Sequence, residues 1–240
     1  MKEYIYGRNP VIEVLKNKRV DKLYVQKGNF EGSMKKVYAL AKEQNILITE
    51  LNKKKLDEMS EDGNHQGVVA LVSGYEYKTL EEVMNGASGR LLMLEKIEDP
   101  HNLGAIARSA EAAGFDGIII PKHKSVYVND AVYKSSAGAI ENISVVIENN
   151  LSNAIEKLKK EGYWIYGADM EGVNYTKVDL KGKVCLVIGN ESKGLGHSVK
   201  KNCDEIISIP MIGKINSLNA SCAASILMFE VLRQDEKITL

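Results

Sequence analysis

Residues 206–230 read IISIPMIGKINSLNASCAASILMFE. A β-branched run ends at Pro210 and Gly213, a polar cluster of Ser217, Asn219 and Ser221 follows, and an apolar stretch rich in Ala220, Cys222, Ala223, Ala224 and Ser225 closes the segment. The order predicts a buried strand, a loop, and a helix that avoids bulk for two turns. Small side chains there allow close approach of a neighbouring helix or of a ligand.

Upstream of this segment, from residue 90, strand-like and helix-like runs alternate: RLLMLEKI (90–97), NLGAIARSAEAAG (102–114), DGIIIP (116–121), AVYKSSAGAI (131–140), ISVVI (143–147), LSNAIEKLKKEG (151–162), YWIYGAD (163–169) and KVCLVIGN (183–190). Apolar strands separated by helices predict an α/β domain with a mostly parallel sheet covered on both faces. Residues 1–74 predict a separate, smaller α/β unit: a helix over NPVIEVLKNK capped by Asn9 with Pro10 at its first position, then strand, helix, strand, a short helix over KKKLDEMS, and a final strand QGVVALVS. The glycine- and polar-rich stretch 75–89 predicts a linker, which leaves 90–240 as the second domain.

Composition narrows the class. The 32 basic and 32 acidic residues cancel, which argues against a protein that coats nucleic acid through bulk charge but not against a site-specific nucleic-acid enzyme. No apolar run reaches the ~18 residues of a membrane span, and the N-terminus lacks an apolar core with a cleavage site, so a cytoplasmic protein is expected. Cys185, Cys203 and Cys222 are odd in number and widely spaced, a pattern of neither a disulfide framework nor a zinc cluster. His101, His123 and His197 show no metal-ligand spacing.

Three polar, glycine-containing loops follow strands of the second domain: EDPHNLGAIARSAEAAGF (98–115), IGNESKGLG (188–196) and the segment after Ile206. Ligands of open α/β sheets gather at the carboxyl ends of strands. A G-x-G-x-x-G fingerprint is missing, and Leu195 stands where a P-loop needs its lysine. Taken singly, the notable residues also have structural readings. Asn102, Ser217 and Asn219 suit helix caps, Glu191 suits a turn, and Arg108 suits a solvated helix face.

Their combination is more specific. Asn102 with Arg108 six residues on, then Gly189-Asn190-Glu191, then Ser217-Leu218-Asn219, each after a strand, resembles the three motifs of the SpoU (TrmH) branch of the SPOUT RNA methyltransferases. Residues 1–74, from YIYGRNPVIEVL to HQGVVALV, are similar to the ribosomal-protein-like RNA-binding domain found in members that modify large-subunit rRNA. The resemblance implies a C-terminal domain with a deep trefoil knot, S-adenosylmethionine as cofactor, a homodimer, and methyl transfer to a ribose 2′-hydroxyl, a guanosine of 23S rRNA being the expected target. It implies contacts to the cofactor by Gly189, Ile209 and Leu218, and roles at the reacting hydroxyl for Arg108, Asn102, Glu191, Ser217 and Asn219, with no metal. Gly7, Arg8 and Asn9 match a family stretch and suggest an RNA-facing turn; the lysines at 53–55 suit either a solvated face or an RNA contact. Two alternatives stand beside it: a tRNA 2′-O-methyltransferase, and a non-catalytic RNA-binding assembly factor.

Overall fold

Proline has no backbone N–H to give, so in a helix it belongs to the first turn. In the computed structural model, which describes residues 2–190, 194–214 and 217–235, Pro10 lies in the first turn of a helix that begins earlier than expected. Strand β1 (Lys2–Tyr6) runs into helix α1 (Arg8–Lys16), and Gly7 takes the cap position expected of Asn9. Its φ of 92° is one that glycine alone adopts cheaply, which is why the helix starts there. The chain continues through β2 (Val20–Gln26), α2 (Met34–Glu43), β3 (Leu47–Leu51), α3 (Lys53–Met59) and β4 (Val68–Ser73). The sheet order is β1-β4-β2-β3, with β4 antiparallel to both neighbours and β2 parallel to β3. Ile5, Leu23, Val25 and Val72 of the strands are buried, as are Val11, Val14 and Leu15 of α1. Strand β1 adds to the elements expected from the sequence, Tyr4 and Tyr6 alternating with the buried Ile5.

The 75–89 stretch carries helix α4 (Leu80–Met84). Thr79 accepts from the Glu82 amide while the Glu82 carboxylate accepts from the Thr79 amide, a reciprocal capping box, and Leu80 and Val83 are buried. Then come β5 (Arg90–Leu94), α5 (Pro100–Ala112) and β6 (Gly117–Pro121).

At Tyr127 the chain returns to pack with the first unit and stays there until Asn142. This excursion holds α6 (Asp130–Ser135) and a 3-10 turn at Ala139–Glu141. The single helix expected over 131–140 is broken because Ala137 and Gly138 have φ of 53° and 89°, outside helical geometry. The excursion is anchored by a cation. Arg19 donates to the Glu141 carboxylate and to the Tyr133 hydroxyl, and its other nitrogen donates to the Ser73 carbonyl at 2.7 Å. Tyr133 in turn donates to Glu141. Burial pushes both the Tyr133 hydroxyl and the Glu141 carboxyl up, the latter against the pull of Tyr133 and Arg19.

The second unit resumes with β7 (Ser144–Glu148), α7 (Leu151–Lys160), β8 (Trp164–Asn174), β9 (Val184–Ile188), α8 (His197–Asn202), β10 (Glu205–Ser208) and α9 (Ala220–Gln234). Its sheet has the order β10-β8-β9-β5-β6-β7, and every pairing is parallel. Leu91, Met93, Ile119, Val146, Ile165, Cys185 and Val187 share one core with Leu80, Val83, Leu151, Ile155, Leu158 and Val199 from α4, α7 and α8. Alternation turns Leu92, Leu94, Ile118, Ile120, Leu186 and Ile188 to the other face, and these are buried as well. That face carries α5 and α9, which pack against each other. Burial on both faces is what the unbroken apolar runs of the strands require.

The Arg19 cluster makes a measurable prediction. Arg19→Ala leaves the buried Glu141 carboxyl without its cation, and removing one partner of such a pair costs about 3 kcal/mol. A chemical-denaturation midpoint unchanged from the parent would show that the cluster contributes nothing to stability.

Candidate active site

Strands β8, β9 and β10, with the segments that follow β9 and β10, surround a cavity of about 290 Å³. Its walls include Ile188, Gly189, Asn190 and Gly194 from the β9 end, Ala168, Asp169 and Met170 from β8, and Ile207, Ile209 and Met211 from β10 and beyond. Ser217, Leu218, Ala220 and Ala223 at the start of α9 close it. Gly189, Ile209, Leu218 and Ser217, taken from three separated stretches of sequence, thus line one space.

Close backbone approach explains the glycine at 189. A Cβ built there would stand 2.4 Å from the carbonyl carbon of Gly194 and 2.7 Å from the Leu195 nitrogen, so any side chain forces the loop apart. The loop is a tight return: the Gly194 amide donates to the Asn190 carbonyl at 2.8 Å, with Gly194 at φ 60°. Glu191, expected to act at the site, lies outside the described residues.

Asn102 is on the first turn of α5 but does not cap it. Asp99 does, accepting from the His101 amide at 2.8 Å. Asn102 is buried, and its Oδ1 accepts a 2.9 Å hydrogen bond from Nδ2 of Asn219. Asn219 is the cap of α9, its own Oδ1 accepting from the Ser221 amide at 2.9 Å. Further along, the Ser225 hydroxyl donates to the Ser109 hydroxyl at 2.8 Å. Contacts 102 to 219 and 109 to 225 advance together, so α5 and α9 run side by side and parallel. Ala220 and Ala224 are buried, and Ala223 faces the cavity. The small residues of α9 therefore serve both helix packing and the cavity wall.

Arg108 is exposed on α5 and is not among the residues lining the cavity. It has no hydrogen-bond or ion-pair partner among the described residues. An unpartnered guanidinium is available to an external anion.

Two acidic residues at the site were not singled out from the sequence. Glu95, directly after β5, is buried, accepts from the Gly196 amide at 2.7 Å and pairs with Lys96 at 3.1 Å. Its signal was a lone acid following the apolar run RLLML. Asp169 on β8 lines the cavity and pairs with Lys200 at 3.1 Å; within YWIYGAD it reads only as the end of a strand. Among the described residues no group of three His, Cys, Asp or Glu could hold a metal, and no helix is long and apolar enough to cross a membrane.

Residues 89–229 match the model of the SpoU rRNA Methylase family, and residues 4–78 match a model described as RNA 2′-O ribose methyltransferase substrate binding. YacO of Bacillus subtilis, provisionally named a TrmH family tRNA/rRNA methyltransferase, is 44% identical over 239 residues, covering 97% of this chain and 96% of its own. An AdoMet-bound rRNA methyltransferase from Sinorhizobium meliloti superposes with a TM-score of 0.82 at 25% identity, over 97% of this chain and 87% of that one. The SpoU methyltransferase AviRb from Streptomyces viridochromogenes has the same fold, with a TM-score of 0.83 at 24% identity over 97% of this chain and 89% of that one. With the second and third motif segments lining one cavity, the match of residues 89–229 to the family model and the 44% identity to YacO make this chain a member of the SpoU (TrmH) family of RNA methyltransferases.

Proposed function

We propose that the protein transfers a methyl group from S-adenosylmethionine to a ribose 2′-hydroxyl of RNA, with a guanosine of 23S rRNA as the target. The observation that carries this is the meeting of Gly189, Ile209, Ser217 and Leu218 on one cavity, with the Asn102–Asn219 pair immediately behind Leu218.

The cavity suits the cofactor. Ile188, Ile209 and Leu218 offer apolar walls for a heterocycle, the Gly189 and Gly194 backbones allow close approach, and Asp169, paired with Lys200, adds a carboxylate to the wall that would attract a cationic ligand. When bound, S-adenosylmethionine supplies a methyl group already activated on a sulfonium. The protein's own residues must then position a poor nucleophile and relieve it of its proton. The Arg108 guanidinium has no lone pair with which to take that proton, so the proton leaves to solvent water. The role of Arg108 is to bind the RNA phosphate beside the target and the oxygen as charge develops on it. Asn102 and Asn219 hold the loop carrying Ser217 and Leu218, and the Ser217 hydroxyl hydrogen-bonds the ribose. Glu191 enters from its motif position alone, as a support of the 189–194 loop. The trefoil knot belongs with this assignment through the family resemblance.

A homodimer completes the site. Cys222, Ile226 and Phe229 lie along one side of α9 at helical spacing, Ile226 being 37% and Phe229 47% exposed. That stripe suits a seam between two copies, and Arg108, absent from the wall of its own cavity, suits service to the partner's. The substrate-binding unit favours rRNA over tRNA, and the three free thiols fit the cytoplasm.

Purified protein with radiolabelled S-adenosylmethionine and separate pools of unmodified 23S rRNA and tRNA tests the assignment. Label should enter 23S rRNA; label confined to tRNA would overturn the substrate, and label in neither would favour the assembly-factor alternative. Arg108→Ala should lower turnover at least ~100-fold while cofactor affinity by calorimetry stays near the parent value; equal loss of both refutes the role given to Arg108. Gly189→Ala should abolish cofactor binding, because its methyl group displaces the 194–195 backbone; unaltered affinity would mean the cavity is not the cofactor's. Phe229→Glu should convert a dimer to a monomer in sedimentation, and a parent that already sediments as a monomer removes the dimer altogether.

A further inference from the structure

The N-terminal unit has a cavity of its own, about 770 Å³, bounded by the start of α1, the end of β2, α3 and the loop 61–67 before β4. Apart from Gly63 and Gly67, every residue lining it is polar. Two groups of side chains do different things there.

The first group is a fastened frame. The Arg8 amide donates to the Gln66 side-chain carbonyl at 3.1 Å, and its guanidinium donates to the Gln66 backbone carbonyl at 3.2 Å and to Asn29 Oδ1 at 3.3 Å. His65, buried, accepts from the Gly67 amide at 2.9 Å through Nδ1, which leaves Nε2 to donate to Asp57 at 3.0 Å. This frame holds Glu61, Asp62 and Gln66 at φ of 49°, 59° and 52°, the left-handed region that non-glycine residues avoid. Such backbone costs free energy and gathers at ligand clamps.

The second group is open. Gln26, Lys53, Asp62 and Asn64 line the same space, and their side chains have no hydrogen-bond or ion-pair partner among the described residues. Arg8 and Lys53 are balanced by Asp57 and Asp62, so the cleft is not built for a bare phosphate. It is also not built for an apolar ligand. A carboxylate, two amides and an ammonium in one place match the edge of a nucleobase.

We propose that this cleft reads an unpaired guanine of the RNA substrate. Guanine presents N1–H and N2–H donors to the Asp62 carboxylate, and O6 and N7 acceptors to Lys53, with Asn64 and Gln26 completing the edge. The assignment rests on RNA being the substrate, yet it concerns a site other than the methyl-transfer cavity and can fail separately from it.

The full-length protein and fluorescent single-stranded RNA decamers test it. Each decamer has uridine flanks and one central G, A, C or U, and binding is read by anisotropy without cofactor. The G decamer should bind about tenfold tighter than the other three. Asp62→Asn should erase that preference, and Asn64→Ala should weaken G binding without changing the rest. Equal affinity for all four decamers, or a preference that survives Asp62→Asn, overturns the proposal even if the protein methylates rRNA. A preference that Asp62→Asn removes, in a protein that methylates no RNA, upholds the cleft and refutes the methyltransferase activity.

Discussion

A single hydrogen bond between two amide side chains, Asn219 to Asn102 at 2.9 Å, sets the geometry on which the cavity depends. Asn102 is buried, and a buried amide left unpaired costs about 1–3 kcal/mol. The bond therefore fixes the start of α9 against the first turn of α5. Leu218 and Ser217, one and two residues before Asn219, are thereby committed to the cavity wall. The Ser225–Ser109 bond repeats the tie two turns on, and the alanines between keep the helices close enough for both. A bulkier Ala224 would part the helices and lose two hydrogen bonds as well as packing.

The loops after β5 and β9 are braced in a comparable way. The Glu95 amide donates to the Ile188 carbonyl at 2.8 Å, the Asn190 side chain donates to the Lys96 carbonyl at 3.2 Å, and the Glu95 carboxylate receives the Gly196 amide. A buried carboxylate is stable only with such donors and a nearby cation, and Lys96 supplies the cation. One of the cavity's lining side chains, Asn190, is thus itself part of the frame. Ser217 of the same wall has no hydrogen-bond partner among the described residues, which leaves its hydroxyl open to a ligand.

Periodicity carried most of the fold. The β6 and β9 runs, and β5 after Arg90, are apolar throughout because both faces are buried, and that is visible residue by residue. Local geometry was less visible. Asn9-Pro10 is a good cap pair by residue type, whereas the positive φ of Gly7 decides where α1 starts. The break after Ser135 depends on Ala137 at φ 53°, and alanine gives no hint of that in a sequence. At the site, the motif spacing pointed to Asn102 and Asn219, but not to their being bonded to each other. Glu95 and Asp169 were passed over because an acid next to a strand has many ordinary explanations, and only burial and partners distinguish these two.

The chain crosses between its two units three times, after Glu76, after Val126 and after Asn142. A module joined by one linker can be gained or lost by a single genetic cut. Removing the N-terminal unit here takes more than one cut, because part of its packing is encoded within the 127–142 excursion. A catalytic segment inherited without residues 1–76 would display the Tyr133 and Glu141 side chains with no Arg19 to receive them. A chain that kept the second unit alone would therefore have to repack or replace the 127–142 segment.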